Sequence, residues 1–348
     1  MVDFSTDILT QTPVSSVADK LANQPANQMD KTTQDDSRTR ISNFIASTLP
    51  PKGHPLDAPA AHHFARPGKM LRARLALSAA SRMGADKTAA LHWAAAVELL
   101  HNASLVHDDM CDDDATRRGR PSVWSVYGRN TALALGDWLI AQSFAYAAKA
   151  ASLGNAPILV SLLSEHMLAT TKGQALEFVQ KGYPAWEAYL EICTGKTAPL
   201  FVAPVEGIAH LASRTDIIPA MMRFFTAVGT AYQIANDIQN VTGTDGAFKP
   251  ASDLMRRTPN AVIVTYRSLL TGELLDGFNA WLASGDNENA RHWHQALLSS
   301  GALTLTAEHM MGIVEEAERL IDDLPEDCAQ IVKPIHAQLV KATRQSAL

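Results

Sequence analysis

From Arg38 onward, apolar residues recur three and four positions apart, the spacing that puts one face of an α-helix against a core. The pattern predicts helices over Lys87 to His107, Asn130 to Ala151, Ile158 to Gln180, Trp186 to Ile208, Ile217 to Asn240 and Ala261 to Leu270. Ala, Leu, Met and Glu, which favour helices, dominate these segments. Alternating strand patterns bounded by tight turns are nearly absent, and Asp245-Gly246 falls in a loop after a helix. No segment repeats at a fixed period, which argues against a helical solenoid. The expected fold is one all-α domain over residues 38–348, preceded by a disordered polar tail over residues 1–37 that is rich in Ser, Thr, Gln, Asn and Asp.

Composition narrows this picture only slightly. At 348 residues and 47% hydrophobic, the chain can bury a large core. Three cysteines, Cys111, Cys193 and Cys328, without a CxxC spacing, give no disulfide framework, so a reducing, cytoplasmic setting is expected. A net charge of −6 with no basic stripe argues against nucleic acid as a partner. No apolar run reaches the ~18 residues of a membrane span.

One stretch departs from ordinary helical surface. Asp108, Asp109, Asp112, Asp113 and Asp114 crowd the end of the helix that starts at Lys87, where the macrodipole is already negative. If the helix continues, Asp108 and Asp112 lie one turn apart on one face. Like charges in that position are stabilised by a cation. Hard oxygen ligands without a thiolate set favour Mg²⁺ over zinc, particularly where a substrate supplies phosphate oxygens. Arg117-Arg118-Gly119 follows at once, so fixed positive charge stands beside the carboxylates. The plainer alternative is an acidic solvated helix end followed by a basic loop.

Four further groups bear on this cluster. Gly68-Lys69-Met70-Leu71-Arg72 offers a point-charge lysine and a forked arginine three residues apart, which suits a diphosphate. His101 precedes Asp108 by two helical turns. Gly195-Lys196-Thr197 presents a lysine that fits a phosphate contact or a plain surface charge. Gln233, Asn236, Asp237 and Asn240 share a polar helical face after an apolar run, and Lys249 and Asp253 follow; that face must hydrogen-bond, bind an ion or meet water.

Taken together, the chain resembles the trans-isoprenyl diphosphate synthases. The resemblance rests on Gly68-Lys69-xx-Arg72, Glu98-Leu-Leu-His101 through His107-Asp108-Asp109-xx-Asp112, Arg117-Arg118-Gly119-x-Pro121, Gly136-Asp137, Lys196-Thr197 and Gln233-xx-Asn236-Asp237. It implies a helical bundle around a central cavity, a homodimer, and a Mg²⁺-dependent condensation of isopentenyl diphosphate with an allylic diphosphate. By the same resemblance, Asp108, Asp109 and Asp112 hold Mg²⁺ on the allylic side. Lys69, Arg72, His101 and Arg118 bind isopentenyl diphosphate; Arg117, Lys196, Thr197, Gln233 and Lys249 bind the allylic diphosphate. Asp237, with Asn236 and Asn240, stands at the second metal motif, and Lys196 and Asp237 join the first-motif aspartates as catalytic residues.

Three departures from the family pattern stand out. Asn236 and Asn240 replace the first and last aspartates of the second motif; Ala73 replaces the proline that usually follows the arginine of the first basic motif; and Arg256-Arg257-Thr258 stands near the place of a Gly-Lys pair. The depleted motif keeps two other readings open, a terpene synthase acting on one prenyl diphosphate and a non-catalytic subunit of a heteromeric synthase. Ala103 and Ser104, five and four residues before Asp108, are where the family lines its product tunnel; both are small, which implies a C20 or longer product.

Overall fold

The computed structural model describes residues 39–66, 68–180, 182–244 and 251–346, with backbone alone for 342–346. The polar stretch over residues 1–37, and Lys249, lie outside them. The described residues form helix α1 (39–46), then α2 (Asp57–Phe64), α3 (Leu71–Met83), α4 (Lys87–Cys111), α5 (Val123–Tyr127), α6 (Arg129–Leu153), α7 (Ile158–Val179), α8 (Trp186–Thr197) and α9 (Pro199–Leu211). After these come α10 (Ile218–Thr242), α11 (Ser252–Arg256), α12 (Ala261–Leu269), α13 (Gly272–Ser284), α14 (Ala290–Leu298), α15 (Ala302–Asp322) and α16 (Glu326–Ser346). No helix among them is long and apolar enough to cross a membrane.

Helix α4 is the axis on which the site is built. Asp86 caps its start, accepting from Thr88 N at 3.0 Å and Ala89 N at 2.7 Å, which satisfies two amides that lack helical partners. Ala89, Ala90, Ala94, Ala95, Ala96 and Ala103 are all fully buried, so neighbouring backbones approach closely, above all that of α6. Deep in the bundle, Trp93 donates its indole N–H to Ala203 O at 3.1 Å. Gly207 makes room for that ring, since a Cβ there would sit 2.0 Å from Trp93 Cε2.

Two expectations change. The single helix foreseen from Trp186 to Ile208 is two, α8 and α9, broken at Ala198. Pro199 occupies the first turn of α9, where a missing N–H costs nothing, so the apolar pattern ran through the break unmarked. The basic loop after the aspartates contains a small antiparallel ladder, β1 (Thr116–Arg117) with β2 (Arg120–Pro121). Its turn residues, Arg118 and Gly119, have φ of +54° and +71°, the left-handed pair that a two-residue hairpin turn requires.

Candidate active site

The aspartate run behaves as helical geometry demands. Helix α4 continues to Cys111, and Asp112 caps it by donating its N–H to Asp108 O at 2.8 Å, so Asp108 and Asp112 stack on one face. Asp109 points elsewhere. It is buried, and Arg117 donates to its Oδ1 from Nε at 2.7 Å and also from Nη2. Asp113 pairs with the guanidinium of Arg129, which also donates to Met110 O at 2.6 Å.

A second pair of helices meets this face. Gly173 on α7 and Gly195 on α8 cross in contact, for a Cβ on Gly173 would lie 2.4 Å from Lys196 N. The crossing carries Glu177, one turn further along α7, onto the ammonium of Lys196. Burial disfavours the charge of Lys196, but its pairing with Glu177, aided by Asp108 and Asp112, raises its pKa above the ordinary value. Burial, aided by repulsion from Asp112 and Asp109, pushes the Asp108 carboxyl up to about 6 against the attraction of Lys196 and Arg117. Asp112 is raised by burial too, with Glu177 among the repelling groups. Glu177 is a site residue that the sequence reading missed; the signal was the pair of glycines inside helices, which marks a close crossing.

The basic residues gather on the other side of α4. Arg118 donates to Arg66 O at 2.7 Å, and its guanidinium lies against Gly68, where a Cβ would come within 2.7 Å of Cζ. The hairpin turn thereby docks on the turn that leads into α3 and delivers Arg118 to the Lys69 and Arg72 region. Arg72 lies 4.7 Å from the Phe201 ring centre, and its buried Nε has no hydrogen-bond partner. Burial lowers Lys69 to about 8. Burial, and the positive charges of Arg72, Arg118 and Arg117, lower His101 well below its usual value, so it is neutral at pH 7. Cations that disfavour one another in this way are stabilised by a polyanion. Glu98 is the counter-charge, buried beside Arg72 and accepting from Ala73 N at 3.0 Å. A proline at residue 73 has no N–H to give, which accounts for one departure from the family pattern.

The polar face of α10 divides. Asp237 turns into the core, where its Oδ2 accepts from Tyr189 OH and from Ala261 N, both at 2.7 Å, and its Oδ1 from Gln233 Nε2 at 2.9 Å. Burial, with repulsion from Asp253, pushes it up to about 7. Asn240 donates to Ser252 Oγ at 2.7 Å and accepts from Asp253 N at 3.2 Å, which pins α11. Asn236 lies one turn after Tyr232 on α10, and its side chain offsets part of the rise that burial gives the Tyr232 phenol. Thr197 closes α8 one residue after Lys196, at the helix break. Ala103 is fully buried, and Ser104 turns its hydroxyl back to His101 O at 2.8 Å.

Among the described residues, no three His, Cys, Asp or Glu side chains converge tightly enough to hold a metal by themselves. The stacked Asp108 and Asp112, with a carboxyl raised by burial and by its acidic neighbours, fit an ion completed by substrate oxygens. The α10 side does not fit one. Both oxygens of Asp237 are already taken by protein donors, and Asn240 is engaged with α11.

Comparison with known proteins identifies the family and the fold. The family model described as polyprenyl synthetase matches residues 54–297. An all-trans-nonaprenyl-diphosphate synthase (geranyl-diphosphate specific) of Rhodobacter capsulatus is 30% identical over 264 residues, 74% of this chain and 80% of the relative. A geranylgeranyl diphosphate synthase of Mycobacterium tuberculosis is 37% identical over 202 residues, 57% of this chain and 58% of the relative. The fold is shared with a polyprenyl synthase from Caulobacter crescentus solved with calcium and isoprenyl diphosphate, at a TM-score of 0.79 and 22% identity over 95% of this chain and 99% of that one.

Proposed function

The chain belongs to the polyprenyl synthetase family and is a prenyltransferase, and on that premise we propose that it condenses isopentenyl diphosphate with an allylic diphosphate to give a C20 or longer prenyl diphosphate. The observation that carries this reading is the placement of a carboxylate face and a cluster of partly desolvated cations around the C-terminal half of α4. One binds metal and one allylic diphosphate; the other binds the second diphosphate.

Lys69, Arg72 and Arg118 hold the isopentenyl diphosphate, with His101 neutral beside them as a hydrogen-bonding group. Asp108 and Asp112 would hold Mg²⁺ on the allylic diphosphate side, and Lys196 contributes its charge from α8. Bound Mg²⁺ supplies neutralisation of the charge that develops on the leaving diphosphate. The allylic C–O bond breaks with its electron pair leaving on the diphosphate, which Lys196 stabilises as a preorganised cation. The double bond of isopentenyl diphosphate then forms the new C–C bond, and the released diphosphate takes the proton lost from the adjacent carbon. Arg117 acts at one remove, holding Asp109 and with it the hairpin that carries Arg118. The protein is proposed to act as a homodimer in a reducing compartment, in keeping with free Cys111, Cys193 and Cys328.

One assay series tests the reading. Dimethylallyl, geranyl, farnesyl and geranylgeranyl diphosphates are each incubated with and without isopentenyl diphosphate across a range of Mg²⁺. Consumption of isopentenyl diphosphate with at least one primer is expected; a hydrocarbon or alcohol formed without it, or no product under any condition, sinks the proposal.

Product length is proposed from Ala103 and Ser104, the small side chains one turn below Asp108. Substituting Ala103→Phe places an aromatic ring in a position that is now fully buried, and the dominant product is expected to lose at least one five-carbon unit. Chromatography of the dephosphorylated products measures it, and an unchanged distribution rules out Ala103 as the floor.

A further inference from the structure

We propose that His107 is a positioning residue of the metal site, a ring seated on Gly136 of α6 that fixes how the end of α4 is turned and so where Asp108 and Asp112 face. The inference rests on the reading of those two carboxylates as the seat of the ion. It gives a use to the Gly136-Asp137 pair, which has none in the reaction described above.

Consecutive side chains in the last turn of α4 leave the helix about 100° apart and so meet different neighbours. His107 turns to α6, Asp108 lies in the field of Lys196 on α8, and Asp109 takes the guanidinium of Arg117 from the hairpin. The residues on either side of Asp108 are thus each tied to a neighbouring element, and the rotation of the helix end is set from both flanks. A helix end of this kind needs such ties. Its final carbonyls lack helical partners, and the carboxylates crowded there repel one another and the negative end of the dipole.

His107 Nε2 lies 3.3 Å from Leu133 O and 3.8 Å from Asp137 Oδ1. A carbonyl and a carboxylate can only accept, so Nε2 carries the proton and donates. The ring rests against Gly136, where a Cβ would stand 2.0 Å from Nε2 and 2.4 Å from Cδ2. Any larger residue at position 136 displaces the imidazole. Asp137 is 67% exposed, so its charge steers the N–H weakly, and the Gly136 shelf with the Leu133 carbonyl carries the fit.

With Nε2 committed to α6, His107 acts through Asp108, its neighbour in the chain, rather than on the ion itself. Partners that orient metal ligands are worth about 10- to 100-fold in metal affinity, and a misplacement of about 1 Å in a reacting group costs about 10² in rate. A ring that only filled the space between α4 and α6 would move stability alone. The two roles separate on that point.

The test uses the full chain with inorganic diphosphate and Mn²⁺, with binding read by electron paramagnetic resonance and folding by thermal unfolding. His107→Ala, and Gly136→Ala, which pushes the ring off its seat, are each expected to weaken Mn²⁺ binding about tenfold in folded protein. His107→Gln, whose amide nitrogen can take the place of Nε2, is expected to keep most of the affinity. Gly154→Ala is the control. It stands at the other end of α6, where a Cβ would meet Leu211 Cδ2 at 2.1 Å, so the melting temperature is expected to fall and Mn²⁺ affinity to hold. Joining His107→Ala to Gly136→Ala relieves the clash, and the double variant is expected to recover the melting temperature while binding stays weak. Recovery of both overturns the proposal, as does unchanged affinity in His107→Ala or an equal loss in Gly154→Ala. Asp108→Asn tests the seat of the ion in the same assay. Intact Mn²⁺ binding there removes the ion from this face and the proposal with it, whereas loss there with none in His107→Ala sinks the positioning role alone.

Discussion

Asp112→Asn is expected to lower kcat/KM for the allylic substrate by about 10³, a loss of ~4 kcal/mol of transition-state stabilisation, while the protein becomes slightly more stable. The two effects have one cause. Asp112 caps α4 and stacks on Asp108, so two carboxylates share the negative end of the helix macrodipole, with Lys196, Arg117 and Arg256 as nearby cations. Removing one charge relieves a repulsion of the kind worth about 0.5 kcal/mol between like charges one helical turn apart. It also removes half of the anionic face that completes an ion's coordination. Steady-state kinetics over a Mg²⁺ titration and a thermal melt check both parts, with half-maximal activity shifting to higher Mg²⁺. Asp113→Asn is the control: Asp113 is exposed and occupied by Arg129, so activity within about twofold of the unsubstituted protein is expected. Should Asp112→Asn keep activity within about tenfold, the stacked pair is not the ion's seat.

That face was legible because helical spacing alone places residues four apart in line, and the run of alanines and leucines before it announces the helix. The same rule, applied to α10, shows where the sequence reading stopped short. Gln233 and Asp237 form one stripe, Asn236 and Asn240 the next, about 100° round the helix. Treated as one polar face they suggested half of a metal site; in the structure the first stripe meets Tyr189 and Ala261, and the second meets Tyr232 and Ser252. Which stripe faces the site depends on how α10 packs against α8 and α12, and no local pattern encodes that. Glu177 was hidden for a similar reason: it belongs to a helix distant in sequence, and only the Gly173–Gly195 crossing brings it to Lys196. The hairpin escaped because its strands are two residues each, too short to show an alternating pattern, although glycine at its second turn position was a usable sign. Arg118 is drawn to the Lys69 region by tertiary docking, through its bond to Arg66 O.

Asp237 separates a structural role for the second motif from a catalytic one, and the pair Asp237→Asn and Asp237→Ala is expected to give opposite results. Asparagine retains an oxygen for Tyr189 and Ala261, and its amide can donate to Gln233 once that side chain turns its own oxygen inward. Asp237→Asn is therefore expected to fold and to keep kcat within about tenfold. Alanine leaves a phenolic O–H and a backbone N–H buried without acceptors, at roughly 1–3 kcal/mol each, so a loss of about 3–5 kcal/mol is expected in denaturant unfolding. The pH dependence of stability supplies an independent check. The carboxyl titrates at about 7 in the folded chain against an ordinary value of 3.8, because burial and the neighbouring Asp253 disfavour its charge. Between those values the folded chain holds a proton that the unfolded chain has released, so this group's contribution makes stability fall as pH rises from about 4 to about 7. Below that window both states are protonated and above it both are ionised, and the contribution is flat. A shift of this size corresponds to a decline on the order of 4 kcal/mol across the window, and Asp237→Asn, which has no proton to lose, should abolish it. Unfolding curves at pH 5 and pH 8 for the two proteins measure the difference. An equal pH slope in both would assign the titration to another group, and a kcat loss of about 10³ in a folded Asp237→Asn would return this carboxylate to the chemistry.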